Sequence, residues 1–160
     1  MYQGKTLSLK KIENDFAELN FDNQSGSVNK FNQQTLAELR EAVDLLKASD
    51  HIQGVLLTSS KSVFVVGADI TEFKQMFASS KEVFIQASQI VNGLFSEIED
   101  LPFPSVAAIN GFALGGGFEI CMACDYRVIS SKAAVGLPET NLGILPGWGG
   151  SVRLPRLAGM

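Results

Sequence analysis

Leu7 and Leu9 alternate with polar neighbours, and Ala17, Leu19 and Phe21 repeat that alternation after the turn-like Glu13-Asn14-Asp15. A period of two on either side of a turn predicts a β-hairpin. Residues 22–32, rich in Asn, Ser and Gly, predict a loop. Asn32 is placed to cap a helix that begins at Gln33, and Leu36, Leu39, Val43 and Leu46 form one apolar stripe ending near Ala48. Val55-Leu56-Leu57 after Gly54, and Val63 to Val66 before Gly67-Ala68-Asp69, are short unbroken apolar runs. Such runs suit strands covered on both faces. A second, longer helix is predicted from Ser80, with Val83, Phe84, Ala87, Ile90, Val91, Leu94, Phe95 and Ile98 as its buried face and a stop before Pro102. Val106 to Ile109 then suggests another buried strand. Helices alternating with buried strands predict an α/β fold.

The last third changes character. Nine of the 15 glycines lie between Gly111 and Gly150, in two clusters interleaved with bulky apolar residues. The strand Val106 to Ile109 runs into Gly111 and Gly115-Gly116-Gly117, then into the apolar segment Phe118 to Cys124. Strand, glycine loop and helix leave amide N–H groups at a helix start, suited to a phosphate or a developing oxyanion. The alternative is close helix–strand packing. No Gly-Lys-Ser/Thr follows, so the loop is not a P-loop, and its spacing fails the dinucleotide fingerprint.

Glu119 lies one turn into that apolar helix, and Glu139 sits in the apolar, glycine-bearing stretch Val135 to Gly143. Burial would raise a carboxyl pKa toward the range useful for proton transfer, and two isolated acids form a candidate acid–base pair. The competing reading is solvated carboxylates, or for Glu119 a charge facing the helix dipole. Gly67-Ala68-Asp69 can supply a second outward amide, since oxyanion holes are commonly built from two loops. It also reads as an ordinary turn with Asp69 near a cap. Cys121 and Cys124 form C-x-x-C but sit mid-helix with no zinc or redox partners, and Trp148 between glycines either packs or lines a pocket.

Composition narrows the chemistry further. The 160 residues are 46% hydrophobic and 19% charged, which fits one folded domain and excludes disorder. The net charge of −4 disfavours nucleic acid or an anionic membrane as partner. One histidine, His51 in a polar connection, and two cysteines rule out a multi-His metal site, a four-Cys zinc site and a disulfide scaffold. No metal is expected. Neither a signal segment nor an apolar run of membrane-spanning length is visible, so the expected compartment is the cytoplasm. The chain stops at Arg156 to Met160 in what looks like the middle of a helix, which suggests a piece of something longer.

Three segments, taken together, resemble the crotonase (enoyl-CoA hydratase/isomerase) superfamily: Phe64 to Ile70, Ala107 to Glu119, and Leu137-Pro138-Glu139 with Pro146 to Gly150. Gly26 to Lys30 and Val65 to Phe73 are similar to the hydratase domain that opens bacterial multifunctional β-oxidation enzymes. The resemblance implies a crotonase-like spiral of β-β-α repeats, here as an incomplete domain over residues 1–160 that lacks the family's C-terminal helices. It implies that the Ala68 and Gly116 amides hold a thioester oxygen and that Glu119 and Glu139 act as acid and base. It places Asn29, Lys30, Val66, Gly67, Asp69, Ile70, Gly115 and Pro138 against the CoA or acyl group.

The implied reaction is hydration of a 2-trans-enoyl-CoA to a 3-hydroxyacyl-CoA. The alternatives are Δ3-Δ2 isomerisation on the same site, or a truncated, non-catalytic acyl-CoA-binding or assembly fragment. Hydration needs no cofactor, since CoA is part of the substrate; NAD would belong to a dehydrogenase domain outside this chain. The partners implied are acyl-CoA thioesters and, for a full-length protein, further copies of itself or a thiolase β-subunit.

Overall fold

The computed structural model describes residues 1–73 and 77–159. The strands are β1 (Tyr2–Gln3), β2 (Leu7–Lys11), β3 (Phe16–Phe21), β4 (Gly54–Ser59), β5 (Ser105–Ile109), β6 (Ala113–Leu114), β7 (Tyr126–Ile129) and β8 (Val135–Gly136). The helices are α1 (Gln33–Lys47), α2 (Lys81–Glu99), α3 (Gly116–Ala123) and α4 (Gly150–Ala158). Among the described residues, six strands form one sheet in the order β1-β2-β3-β4-β5-β7, and β6 and β8 form a small second one.

The hairpin forms as β2 and β3, antiparallel, with Leu9 opposite Leu19 and Leu7 opposite Phe21. From β3 onward the pairings β3–β4, β4–β5 and β5–β7 are all parallel. This matches the α/β reading: consecutive parallel strands need long crossovers, and α1 and α2 occupy two of them. Leu7, Leu9, Leu19, Phe21, Val55, Leu57, Ala107 and Ile109 make one sealed sheet face. Leu39, Ala42, Val43 and Leu46 of α1 and Val91, Leu94, Phe95 and Ile98 of α2 are buried in the same core. Asn32 caps α1 as its sequence predicts, its Oδ1 accepting from Thr35 N at 2.8 Å.

A buried acid fastens α1 to the sheet. Glu38 accepts hydrogen bonds from Lys5 N, Thr6 N, Thr6 Oγ1 and Leu7 N at 2.7–3.2 Å. Burial alone would push its carboxyl up, but the Thr6 hydroxyl and the three amides outweigh that and leave it lowered.

Four expectations need correction. Val63 to Val66 is not a strand: apart from a single bridge from Val65 to Ala113, it has no ladder. It is nevertheless buried at Phe64 and Val65, with Phe64 N donating to Phe112 O and Val66 N to Asn29 O. Val55-Leu56-Leu57 is covered fully on one face only, because Leu56 points to a half-open side and the edge strand β7 leaves Val128 64% exposed. On α2 the stripe is buried only from Val91 onward; Val83, Phe84 and Ile90 are exposed and line cavities instead of the core. The terminal segment is not mid-helix, for α4 ends at Ala158 with Gly159 as its cap, and Met160 lies outside the described residues.

Candidate active site

Three chain segments meet where β5, β6 and α3 follow one another. Leu114 N donates to Val65 O at 3.0 Å and Gly115 N to Gly136 O at 2.9 Å. These bonds bring the 65–69 segment, the start of α3 and the 136–139 segment side by side. Gly67 and Gly115 take positive φ values of 94° and 52°, which side-chain-bearing residues rarely adopt. The turn at Gly67 also sits close, since a β-carbon there would lie 3.0 Å from Leu114 O.

Among the described residues, the Ala68 and Gly116 amides at this junction have no acceptor. Phe31 N donates to Gly67 O and Asp69 N donates to Phe31 O, both at 2.8 Å, so Ala68 directs its own N–H away from Phe31. Gly115 N is engaged by Gly136 O, so Gly116 is the first residue of α3 whose N–H lacks a partner among the described residues. Both residues line one cavity of about 450 Å³.

Glu119 and Glu139 line the same cavity, 2% and 8% exposed. Glu119 Oε1 accepts from Trp148 N and Gly150 N, each at 2.8 Å. Burial pushes the Glu119 carboxyl up; the Gly150 and Trp148 amides pull it down, the Glu139 charge pushes it up again and Arg153 pulls it down, with a net rise. Glu139 begins a short 3-10 turn, Glu139–Leu142, and its buried Oε2 accepts no hydrogen bond from a described residue. One carboxylate is therefore gripped and the other is bare.

Val66, Gly67, Ile70, Gly115 and Pro138 line the same cavity as the two acids. Three other nominated residues do not line it. Asn29 is buried and fully engaged: its Oδ1 accepts from Asn23 N, and its Nδ2 donates to Phe21 O, Ser59 Oγ and Phe64 O. It splices three segments, a structural role. Lys30 pairs with Asp69 at 2.6 Å, and Asp69 also caps the following turn by accepting from Thr71 N and Oγ1. The Lys30 contact, with help from Thr71, holds the Asp69 carboxyl below its ordinary range.

Several contributors carry no polar signature in the sequence. Phe73, Phe77 and Phe84 stack in series at 5.5 and 6.0 Å and, with Leu142, Ile144 and Leu145, make the rest of the wall apolar. Their signal was the density of exposed apolar residues around 70–90 and 142–145. Trp148 resolves both ways: its ring packs edge-on to Phe31 and Phe95 at 5.9 and 6.0 Å, and it borders the cavity. Behind it a second apolar cavity of about 560 Å³ shares Ala68, Ser88 and Trp148 with the first. His51 is exposed. Cys121 and Cys124 are free and buried, and burial pushes the Cys124 thiol up to about 12, so neither offers a thiolate. Among the described residues no cluster could hold a metal ion, and no helix is long and apolar enough to cross a membrane.

The sheet-and-helix fold thus brings Glu119, Glu139, Ala68 and Gly116 to one largely apolar cavity. The chain matches the enoyl-CoA hydratase/isomerase family over residues 11–160, and it belongs to that family. Fatty acid oxidation complex subunit alpha of Pseudomonas aeruginosa is 56% identical over 159 residues, which cover 99% of this chain and 22% of that protein. Among solved structures, an enoyl-CoA hydratase from Bacillus anthracis superposes with a TM-score of 0.85 at 33% identity, covering 97% of this chain and 59% of that one. Another, from Geobacillus kaustophilus, reaches a TM-score of 0.89 at 29% identity, with 98% and 58% covered. The chain thus spans about a fifth of the curated relative and under two thirds of these solved chains.

Proposed function

We propose that this chain carries the acid–base and oxyanion half of a site that hydrates 2-trans-enoyl-CoA thioesters to 3-hydroxyacyl-CoA in fatty-acid oxidation. The observation that carries the reading is the pairing of two buried carboxylates in opposite hydrogen-bonding states on one cavity that also bears two unused amides. Water addition across the C2–C3 double bond builds negative charge on the thioester oxygen. The Ala68 and Gly116 N–H groups are suited to receive that charge, and losing one such donor typically costs about 10²–10³ in rate. One glutamate takes a proton from the water whose oxygen bonds to C3, and the other delivers a proton to C2. Such acid–base help is worth roughly 10²–10⁴. The aromatic and aliphatic wall suits an acyl chain. Two carboxylates, where a double-bond shift needs one proton shuttle, favour hydration over isomerisation.

No cofactor enters this reaction. The Pseudomonas relatives are alpha subunits of a fatty acid oxidation complex, which supports a further proposal: the protein containing this domain works inside a multi-subunit fatty-acid oxidation complex, with a thiolase β-subunit as the partner. The test is Glu139→Gln in the intact protein. Hydration of a 2-enoyl-CoA should fall by about 10²-fold or more while binding of the CoA ester persists. Turnover close to wild type in that variant would end the assignment.

A further inference from the structure

The amides that hold Glu119 are themselves held from behind. In a trans peptide the carbonyl and the N–H of one plane point to opposite sides. Gly150 N–H shares its plane with Gly149 C=O, which accepts from Val152 N at 3.0 Å and Arg153 N at 2.8 Å. The first turn of α4 therefore fixes that plane, a purely backbone device. Trp148 N–H shares its plane with Gly147 C=O, and this carbonyl accepts from Asn92 Nδ2 at 2.7 Å. Here a side chain from a different element, 55 residues away in sequence, does the holding.

Asn92 is built for that task. The same Nδ2 donates to Ser88 O at 2.9 Å, one turn back along α2, so both of its protons go to carbonyl oxygens. This fixes the orientation of the amide, because the flipped form would set oxygen against two oxygens. The turn from Pro146 to Gly149 has no ladder to stiffen it, and Gly149 adopts a φ of 104°. Other side chains support it too: Ser151 Oγ donates to Pro146 O at 3.4 Å, and Arg153 donates to Trp148 O at 3.3 Å while bound to Glu99 and Ser96 of α2.

We propose that Asn92 is a positioning residue for Glu119: through the Gly147–Trp148 peptide it sets the direction and donor strength of one of the two N–H groups on the carboxylate. Asn92 lines neither cavity and touches no reacting atom. The connection runs from Asn92 Nδ2–H to the Gly147 oxygen, across the amide, and from Trp148 N–H to Glu119 Oε1. A hydrogen bond to an amide oxygen polarises the amide and strengthens its N–H as a donor. The inference rests on Glu119 being an acid–base residue, yet its first readout does not depend on turnover.

The experiment compares Asn92→Ala and Asn92→Asp with wild type in the full-length protein. Protonation of Glu119 is followed by isotope-edited infrared difference against the matching Glu119→Gln protein, without substrate. The midpoint should rise in Asn92→Ala, because the charged carboxylate loses donor strength, and rise further in Asn92→Asp, which keeps the shape but sets a negative charge against the Gly147 oxygen. For hydration, kcat should fall about tenfold with KM within about twofold, less than the loss of a whole donor. The limb of the pH–kcat/KM profile that belongs to Glu119 should move in the same direction as the infrared midpoint. An unmoved midpoint in a folded Asn92→Ala protein overturns the proposal, as does lower thermal stability with both midpoint and pH limb unchanged, since that pattern is mere packing. If wild type hydrates no enoyl-CoA, the proposed reaction falls, while the infrared midpoint still decides the role of Asn92.

Discussion

Replacing Gly150 by alanine tests how tightly the acids are caged. A β-carbon at Gly150 would stand 2.9 Å from Glu119 Oε1 and 3.0 Å from both Leu137 Cδ1 and Pro146 Cβ. Ordinary contact begins at 3.4 Å, so the carboxylate side must open by about 0.5 Å and the other two by about 0.4 Å. Leu137 Cδ1 can swing aside, but the other two contacts cannot yield freely: yielding at Glu119 lengthens its 2.8 Å bond from Gly150 N, and yielding at Pro146 moves the turn that carries Trp148 N. Overpacking of this kind costs about 1–3 kcal/mol of stability. Since a misplacement of about 1 Å costs on the order of 10²-fold in rate, half of that predicts roughly a tenfold loss of kcat. The assay is steady-state hydration of a 2-enoyl-CoA beside a thermal melt of the same protein. Gly93→Ala is the control, for Gly93 is exposed on α2 with nothing within 4 Å of the added carbon. That variant should keep full activity and gain up to about 1 kcal/mol. A folded Gly150→Ala protein with wild-type kcat would refute the cage.

Two further variants separate stability from activity. Glu119→Gln should remove hydration yet leave the protein at least as stable as wild type at neutral pH. Burial and the Glu139 charge raise the folded-state pKa, so between the unfolded and folded values the native state holds a proton that the unfolded chain has released. Stability then falls as pH rises from about 4.3, the unfolded value, through the raised folded value. Melts of the two proteins should converge below about pH 4; a glutamine variant markedly less stable at pH 8 would contradict this. Glu97 has the opposite sign. Bidentate contact with Arg40, backed by Lys47, holds its carboxyl down to about 2. Its contribution is complete above the unfolded value of about 4.3 and is lost as pH falls through about 2. With the side chain 30% exposed, the network is worth about 1 kcal/mol. Glu97→Gln should therefore speed hydrogen exchange in α1 and α2 at pH 7 and make no difference near pH 2.

What the pattern of residues revealed about the fold depended on whether burial came with a repeating ladder. The hairpin and α1 each combine a clean period with a cap or turn, so sequence and structure agree there to within a residue. Val63 to Val66 is as apolar as a central strand and as buried at Phe64 and Val65, but its backbone groups bond to the dissimilar partners Asn29, Phe112 and Leu114. An apolar run reports that a segment is surrounded; it does not report whether the neighbours lie in register. The first half of α2 fails for the converse reason. Val83, Phe84 and Ile90 keep the helical period, but the surface they cover is cavity wall.

At the site the legible part was the pair of acids, because a lone carboxylate among apolar residues and glycines has few ways to be accommodated. Asn29, which only the family resemblance placed near the CoA, joins Phe21, Ser59 and Phe64 through its side chain. The groups that grip Glu119 are harder still to read, since Trp148 and Gly150 contribute main-chain N–H groups that any residue but proline possesses. What such a site does require of the sequence is room. Side chains at five of the clustered glycines would collide: at Gly111 with the Ser62 carbonyl, at Gly116 with the Trp148 ring, at Gly117 with the Val65 carbonyl, at Gly149 with the Arg153 guanidinium and at Gly150 with the Glu119 carboxylate. Backbone chemistry thus shows itself through residues that stay out of its way: Gly116 and Gly150 leave room for the Trp148 ring and the Glu119 carboxylate, while Gly111 and Gly117 serve close packing against the 62–65 segment.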